Sequence, residues 1–276
     1  MHGLGLSTIC EEGRCPNIGE CWGSGTMTLM LLGDTCTRGC RFCHVKTAKE
    51  GQPVDPFEPH KVAMTVSQLG LEYVVLTMVD RDDLPDGGAD HVARTVENLK
   101  RRDPRLLVEV LTGDFRAQRA PIARVVQAKP DVYAHNLETV ERLTPAVRDA
   151  KASYAQSLET LRLVKELDPA RFTKSSLMLG LGETDEEVTQ AMKDLRSVDC
   201  DILTLGQYLR PTNWHLEVRE YVPPARFDAL AQRARDLGFL YCASGPLVRS
   251  SYKAGELFLK GLVEQRNATA LAERNP

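Results

Sequence analysis

The stretch TMTLMLLGDTCTRGCRFC, residues 26–43, joins an apolar run to three closely spaced cysteines. The run TMTLMLLGD is apolar on both faces, which is typical of a strand in a parallel sheet that helices cover on each side. The cysteines that follow it, Cys36, Cys40 and Cys43, have the spacing C-x3-C-x2-C. A loop that directly follows a strand lies at the carboxyl end of that strand, which is the reactive end of a barrel enzyme.

Similar apolar runs recur along the chain and alternate with amphipathic segments of helical spacing. The runs are YVVLTMVD (73–80), LLVEVLTGD (106–114), DVYAHNLE (131–138), TKSSLMLGLG (173–182), DILTLGQYL (201–209) and a weaker LYCASGPLV (240–248). This alternation of strand and helix, repeated about six times, predicts a right-handed parallel α/β fold.

A barrel and a doubly wound sheet would both produce this alternation. Polar residues such as Asp80, Asp114 and Gln207 gather where the runs end, which favours the reactive face of a TIM-type barrel. A complete barrel needs about eight strands, whereas six strong runs fit after residue 25. The sequence therefore predicts an open, partial TIM-type barrel of about six βα units over residues 26–240. An N-terminal segment, 1–25, and a C-terminal segment, 241–276 with a terminal helix, extend it.

Composition and charge narrow the class of protein. The net charge of -3 and the pI near 6.1 give no polycation for nucleic acid and no basic stripe for a lipid surface. The sequence has no apolar run long enough for a bilayer, and its first residues lack the pattern of a secretion signal. We therefore predict a cytoplasmic protein with no nucleic-acid or membrane partner, in which clustered cysteines bind metal rather than form disulfides.

The sequence contains two groups of three closely spaced cysteines, and we call Cys36, Cys40 and Cys43, which come later in the chain, the second triplet. Three thiolates can hold three irons of a four-iron cluster and leave the fourth iron open, and an open position is typical of a reactive metal site. A structural zinc site is the alternative, but zinc usually takes four ligands from two hairpins, and His44 is too close to Cys43 to serve easily.

The spacing C-x3-C-x2-C, an aromatic residue before the last cysteine, and the barrel that follows resemble the radical S-adenosylmethionine (SAM) superfamily. The resemblance implies that SAM chelates the open iron and that reduction cleaves it to a 5′-deoxyadenosyl radical. It also implies SAM-binding positions, whose alternative roles are structural; the glycines, for example, also fit a plain strand-to-helix turn. These positions are Gly180, Gly182 and Glu183 for the adenine, Asn136 and Glu138 for the ribose, Lys174 for the SAM carboxylate, and Gln207.

A first triplet, Cys10, Cys15 and Cys21, lies in CEEGRCPNIGECW. This stretch is similar, almost letter for letter, to the CEEARCPNIGECW signature of the lipoyl synthase family. The segments RDDLPDGGA, HNLETV, LMLGLGET, LTLGQYLRPT and VRSSY also resemble that family and stand in the same order. The resemblance covers the chain from Cys10 to Tyr252.

By this resemblance the first triplet and Ser251 hold an auxiliary cluster, so the chain would carry two [4Fe-4S] clusters and use SAM. From the residues alone, Ser250 and Ser251 favour a helix cap before YKAGELFLKGL. One departure is that only nine residues precede Cys10, whereas family members usually carry a longer segment there. A shorter segment would leave the auxiliary site less covered.

The family's activity is the insertion of two sulfur atoms at C6 and C8 of a protein-bound octanoyl-lysine. The implied partners are an octanoylated lipoyl carrier domain (the glycine-cleavage H protein or the E2 lipoyl domain of a 2-oxoacid dehydrogenase), a reductant such as ferredoxin or flavodoxin, and a cluster-repair protein. The octanoyl chain needs a channel with an apolar interior and a polar mouth. Arg210, His215 and Arg249 are candidates for that mouth, with ordinary surface contacts as the alternative.

Three other functions remain open on the residues. A methylthiotransferase also carries two clusters, but usually places the second in a separate N-terminal domain with wider cysteine spacing. An electron-transfer protein would hold clusters without cleaving SAM. A zinc-stapled interaction protein would contain zinc instead of iron and sulfide.

Overall fold

The computed structural model describes residues 6–12, 17, 19 and 27–251. Its strands are β1 (Ser7–Thr8), β2 (Thr28–Leu31), β3 (Thr35–Cys36), β4 (Lys46–Thr47), β5 (Tyr73–Met78), β6 (Leu107–Leu111), β7 (Val132–Ala134), β8 (Phe172–Leu179), β9 (Ile202–Gln207) and β10 (Tyr241–Gly245). Its helices are α1 (Ile9–Glu12), α2 (Glu58–Leu69), α3 (Ala89–Arg102), α4 (Arg119–Gln127), α5 (Thr144–Val147), α6 (Tyr154–Leu167), α7 (Asp185–Ser197) and α8 (Pro224–Asp236), with 3-10 turns at Phe115–Ala117 and Glu141–Leu143.

Eight of the strands form one sheet in the order β1-β2-β5-β6-β7-β8-β9-β10. All neighbours pair in parallel except β1, which lies antiparallel to β2 at the edge. Within the described ranges no pairing joins β10 back to β1, so the sheet stays open. The predicted partial barrel is therefore confirmed, and the weaker seventh run forms a full parallel strand.

Burial on both faces explains why the strand sequences lack polar alternation. Every residue of β2 and β9 is buried, because one face packs in the barrel interior and the other packs under helices. Outside the sheet, α3 presents Val92, Val96 and Leu99 to the core. Cys200 and Cys242 are buried among apolar side chains in a second cluster, as small hydrophobic residues.

Local signals position several of the helix ends. The side chain of Thr184 accepts a hydrogen bond from the backbone N–H of Glu187, and the Glu187 carboxylate accepts one from the backbone N–H of Thr184, so a capping box begins α7. The sheet continues past residue 240, where the sequence placed the end of the barrel, because β10 pairs with β9 from Tyr241 to Gly245. The three-part division of the chain remains a prediction. None of the helices in the described ranges is both long and apolar enough to cross a bilayer.

Candidate functional site

A cavity of about 530 Å³ opens at the carboxyl ends of the strands. All three cysteines of the second triplet line it. So do Cys10 and Ser251, which come from opposite ends of the described chain. The cavity therefore brings together candidate ligands from both predicted cluster sites, at the end of the sheet where a barrel enzyme carries its chemistry.

The segment from Cys36 to Cys43, which we call the cluster loop, is fastened to the sheet by one buried arginine. Arg38 is 5% exposed. Its guanidinium donates two hydrogen bonds to Asp114, both of 2.7 Å, and two to Asp82, of 3.0 and 2.9 Å. Asp82 follows β5 and Asp114 follows β6, so the two bidentate contacts of Arg38 attach the loop to two neighbouring strand ends. Sequence reasoning missed this role of Arg38.

The acidic residues around Arg38 have divergent pKa values. Burial acts to raise the pKa of Asp114, but the hydrogen bonds from Arg38 outweigh burial and hold that pKa at about 2. Asp80 also lines the cavity, and its carboxylate is 3.7 Å from the Arg38 guanidinium. Burial, reinforced by the neighbouring Asp114 and Asp82, raises the pKa of Asp80 to about 6. Burial also acts to raise the pKa of Asp82, but the hydrogen bonds from Arg38 hold it well below its usual range. Asp82 and Asp114 are therefore anions, whereas Asp80 titrates closer to neutrality.

Burial keeps the thiols of the second triplet protonated until a metal binds them. Burial is the main cause that raises the pKa of Cys40 to about 11 and that of Cys43 to about 12. The backbone N–H of Arg38 donates to the Cys36 sulfur at 3.4 Å, and that of Asp149 donates to the Cys40 sulfur at 3.3 Å. These donors stabilise thiolates, but full deprotonation in this pocket requires a metal. N–H to sulfur bonds are also what tunes an iron-sulfur cluster.

Within the described residues, no three histidine, cysteine or carboxylate side chains are placed to hold a single metal ion. A cluster distributes its thiolates over several irons, so its ligands need to share a pocket rather than one point. The second triplet meets that weaker requirement, because its three cysteines line the same cavity. The donor set therefore fits an iron-sulfur cluster better than a mononuclear ion.

Two of the four candidate ligands of the auxiliary site lie in the described residues. Cys10 is buried on α1, which follows the edge strand β1. The Thr28 hydroxyl, on β2, donates to the Ser251 hydroxyl at 3.0 Å. Cys15 and Cys21 lie outside the described residues, as does the segment after Ser251 in which a terminal helix was predicted. The auxiliary site thus remains a prediction, and the positions of Cys10 and Ser251 on one cavity support it.

The predicted ribose-binding pair is brought together on the cavity wall. Asn136 donates its side-chain amide to Glu138 at 3.1 Å, and both residues line the cavity. Burial raises the pKa of Glu138. Its backbone φ of 69° lies in the left-handed region, where strain in a residue other than glycine often marks a functional position.

The glycine-rich segment that follows β8 forms a turn and does not line the cavity. At Gly180 φ is 96°, and a Cβ there would lie 2.3 Å from both the Glu220 carbonyl oxygen and the Gln207 amide. Glu183 accepts the backbone N–H groups of Gly180 and Leu181 at 2.5 and 2.9 Å. The placement of Gly180, Gly182 and Glu183 matches the alternative of a strand-to-helix turn. Gln207 does line the cavity, although its amide donates to Tyr208 and Glu220 carbonyls.

The structure does not bring Lys174 to the cavity. It is the third residue of β8 and faces the opposite, amino-terminal half of the barrel interior, where it is 2% exposed. Its ammonium donates to both Glu109 carboxylate oxygens at 2.9 and 3.0 Å, and Tyr73 donates to the same carboxylate at 2.6 Å. This placement contradicts the predicted role of Lys174 in binding the SAM carboxylate, because its ammonium is already paired with the buried Glu109 carboxylate.

We expect Lys174→Met to lower the free energy of unfolding by about 3–5 kcal/mol, because it leaves the Glu109 charge buried and unpaired. SAM affinity, measured by calorimetry on the anaerobically reconstituted protein, should stay unchanged. Lys61→Met is the control, since its pair with Asp55 is exposed and should contribute less than about 1 kcal/mol. Weaker SAM binding with normal stability would restore the sequence prediction.

The three predicted mouth residues have distinct positions. Arg210 and Arg249 line the cavity. His215 does not line it, but its Nε2 lies 3.0 Å from the carbonyl oxygen of Cys43, and its Nδ1 lies 2.8 Å from the Thr212 hydroxyl. A carbonyl only accepts, so Nε2 carries the proton. His215 therefore holds the end of the cluster loop.

Arg148 is a cavity residue that sequence reasoning missed. It is buried, and its Nη1 donates to Ser157 at 2.7 Å. Its Nε is a buried donor without a hydrogen-bond acceptor among the described residues. A buried unpaired guanidinium N–H is costly, and an anionic ligand in the cavity would relieve that cost. Its position follows α5, so no strand-end pattern could have revealed it.

Comparisons with known proteins agree with this arrangement. A family model described as the radical SAM superfamily matches residues 30–195. The mitochondrial lipoyl synthase of Eremothecium gossypii is 59% identical over 270 residues, which are 96% of this chain and 73% of that protein. The mitochondrial lipoyl synthase of Trichoplax adhaerens is 59% identical over 98% of this chain and 78% of its own. Neither a methylthiotransferase nor an electron carrier is favoured by these relatives.

Among solved structures, the FeFe-hydrogenase maturase HydG from Carboxydothermus hydrogenoformans superposes with a TM-score of 0.60. The match has 12% sequence identity and covers 87% of this chain and 66% of that one. At that identity the likeness shows the fold alone.

The names of the relatives contradict the predicted cytoplasmic location. Both of these lipoyl synthases are named as mitochondrial, which points to mitochondria. The prediction was wrong because unpaired cysteines indicate only a reducing compartment, and composition does not distinguish one such compartment from another. The family model and the relatives, together with the cavity that the cysteines line, lead to one conclusion. The chain belongs to the lipoyl synthase family of the radical SAM superfamily.

Proposed function

We propose that this cavity is where the chain inserts two sulfur atoms at C6 and C8 of an octanoyl group carried on a lipoyl carrier domain. Members of its family are radical SAM enzymes that use SAM and [4Fe-4S] clusters, and the family places this chain among them. The observation that carries the assignment of the site is that the second triplet, Cys10 and Ser251 all line one cavity. An octanoyl group bound between the second triplet and the pair Cys10 and Ser251 would lie next to both sets of candidate ligands.

Cys36, Cys40 and Cys43 would hold one cluster, and the first triplet with Ser251 would hold the other. When bound, these clusters and SAM supply the radical that removes hydrogen from an unactivated carbon, and the sulfur that replaces it. No general base could perform that step, because the carbons of a saturated chain are not acidic. The protein's own contribution is to position the groups and to exclude water.

The described residues supply that positioning. Arg38 fixes the cluster loop on the sheet through Asp82 and Asp114. The octanoyl chain would lie along apolar wall residues, which bind it by burial and keep water away from the radical. These include Met30, Met78, Leu111, Leu177 and Met178.

Arg148 would bind the SAM carboxylate in place of Lys174. We expect Arg148→Met to raise the KM for SAM by roughly ten-fold to a hundred-fold, since a hydrogen bond to a charged group contributes about 1.5–3 kcal/mol. Arg148→Lys should recover part of the loss, because an ammonium keeps the charge but not the planar fork. Arg162→Met, on the exposed face of α6, is the control. An unchanged KM for SAM in Arg148→Met would contradict the assignment.

The partners follow from the proposed reaction. The substrate is an octanoylated carrier domain, and a reductant such as ferredoxin or flavodoxin would supply electrons. A cluster-repair protein would rebuild the auxiliary cluster if that cluster is the sulfur source. These partners are proposed from the family's chemistry.

The decisive experiment is anaerobic reconstitution with iron and sulfide, followed by reaction with SAM, a reductant and an octanoyl-lysyl peptide. Mass spectrometry should show a product with two added sulfur atoms and two hydrogen atoms fewer. A methylthio product on another substrate would favour the methylthiotransferase alternative. Clusters without any 5′-deoxyadenosine would favour an electron carrier.

A further inference from the structure

An unusually exposed tryptophan lies on the segment that follows β9. We call residues 208–218 the mouth loop. Trp214 is 97% exposed, more than any other large hydrophobic side chain in the described part of the chain. Leu209 in the same loop is also exposed. A bare indole is a large apolar surface, and tryptophan is among the residues that most often anchor protein interfaces.

The mouth loop is held in one shape by its own hydrogen bonds. Arg210 Nε donates to the His215 carbonyl at 2.9 Å. The Thr212 hydroxyl pairs with His215 Nδ1 at 2.8 Å, and the His215 backbone N–H donates to the Thr212 carbonyl at 3.1 Å. The indole is thus presented by a closed turn, and little conformational entropy is lost when a partner binds it.

The same loop forms part of the cavity entrance. Leu209, Arg210 and Pro211 line the cavity. The backbone N–H of Leu216 donates to the carbonyl of Arg41 in the cluster loop at 3.2 Å, and His215 bonds to Cys43. Trp214 therefore stands beside the opening through which a carried acyl chain has to enter.

Charge at this rim indicates the chemistry of a partner. The guanidinium of Arg41 donates to the Ala146 carbonyl, and that of Arg210 donates to the His215 and Asn213 carbonyls. Neither arginine forms an ion pair with a carboxylate of the described ranges. Two positive charges beside an exposed indole fit a protein surface that combines an apolar spot with acidic residues.

We propose that the mouth loop is the docking surface for the protein that carries the octanoyl chain, with Trp214 as its apolar anchor and with Arg41 and Arg210 facing acidic residues of that carrier. The proposal rests on the proposed function, because only a protein-bound substrate brings a macromolecular surface to this opening. Docking of the carrier at the rim places its acyl-lysine arm over the cavity.

The test compares a whole carrier domain with a short octanoyl-lysyl peptide on the reconstituted holoenzyme. Trp214→Ser should raise the KM for the octanoylated carrier domain at least about ten-fold, the effect expected for an interface hot spot. Its kcat, its KM for the peptide, its iron content and its thermal unfolding should match the wild type. Trp214→Phe should recover part of the loss. Raising the salt concentration should weaken carrier binding but leave the peptide unaffected.

Leu240→Ser is the matched control, because Leu240 is an exposed apolar residue that precedes β10 at the opposite end of the barrel. The proposal is overturned if Trp214→Ser leaves the carrier KM unchanged or impairs peptide and carrier equally. A dimer that depends on Trp214 in light scattering, with a normal carrier KM, would assign the loop to a second copy and also overturn it. If the wild type converts neither substrate, the proposed function fails instead.

Discussion

Arg38→Met is expected to release the cluster loop and to lower the free energy of unfolding by about 3–5 kcal/mol, because it leaves the buried Asp114 carboxylate without its cation. Asp82 would keep its ion pairs with Arg116 and Lys151. Asp114 is wholly buried and Asp82 nearly so. The reconstituted protein should lose about half of its iron, as expected when one of two four-iron clusters is lost. Chemical denaturation and iron analysis measure the two effects separately.

Arg41→Met is the matched control, because Arg41 belongs to the same loop but is exposed and donates to one carbonyl. Its stability should stay within about 0.5 kcal/mol of the wild type. Adding Asp114→Asn to Arg38→Met should recover part of the stability, since the unpaired charge is gone, without recovering the iron. Full iron content in the single variant would disprove the fastening role of Arg38.

Gly206→Ala is expected to displace the segment that carries Ser251. A Cβ at residue 206 would lie 2.1 Å from the carbonyl oxygen of Val248, which is backbone and cannot move away by changing rotamer. The overpacking should cost about 1–3 kcal/mol. The auxiliary site should then lose its cluster, whereas SAM cleavage at the second triplet continues. The assay should detect 5′-deoxyadenosine but little sulfur-containing product.

Gly245→Ala provides the control on the neighbouring strand. A Cβ there would meet only the side chain of Val248, at an ordinary distance of 3.5 Å. Its stability and sulfur insertion should remain close to those of the wild type. If Gly206→Ala retained both clusters and full sulfur insertion, Ser251 would not need its observed position.

The strands that pair in parallel in the main sheet could be predicted from the sequence, because the pattern that favours a strand lies within the strand itself. Each predicted run is largely apolar, and each ends in a turn or a helix start that short patterns reveal. The edge strand β1 was missed, since its two residues, Ser7 and Thr8, have no apolar run. Antiparallel pairing with β2 is what orders them.

The site was harder to predict because its contacts are distant in sequence. Arg38 is 44 residues from Asp82 and 76 from Asp114, and the sequence around Arg38 does not predict either partner. Lys174 was misplaced for a related reason. Its strand was recognised correctly, but the depth of a residue along that strand depends on register with Ala134 and Ile202, which one sequence does not contain.

The bond between Thr28 and Ser251 joins residues that are 223 positions apart. During synthesis on the ribosome, Cys10 emerges long before the serine that shares its cavity. The entropic cost of closing so long a loop grows only slowly with its length, but the closure cannot occur until the last strand has been translated and paired. Among the described residues this contact is therefore one of the last to form, and the proposed auxiliary site could be enclosed only after Ser251 has been synthesised.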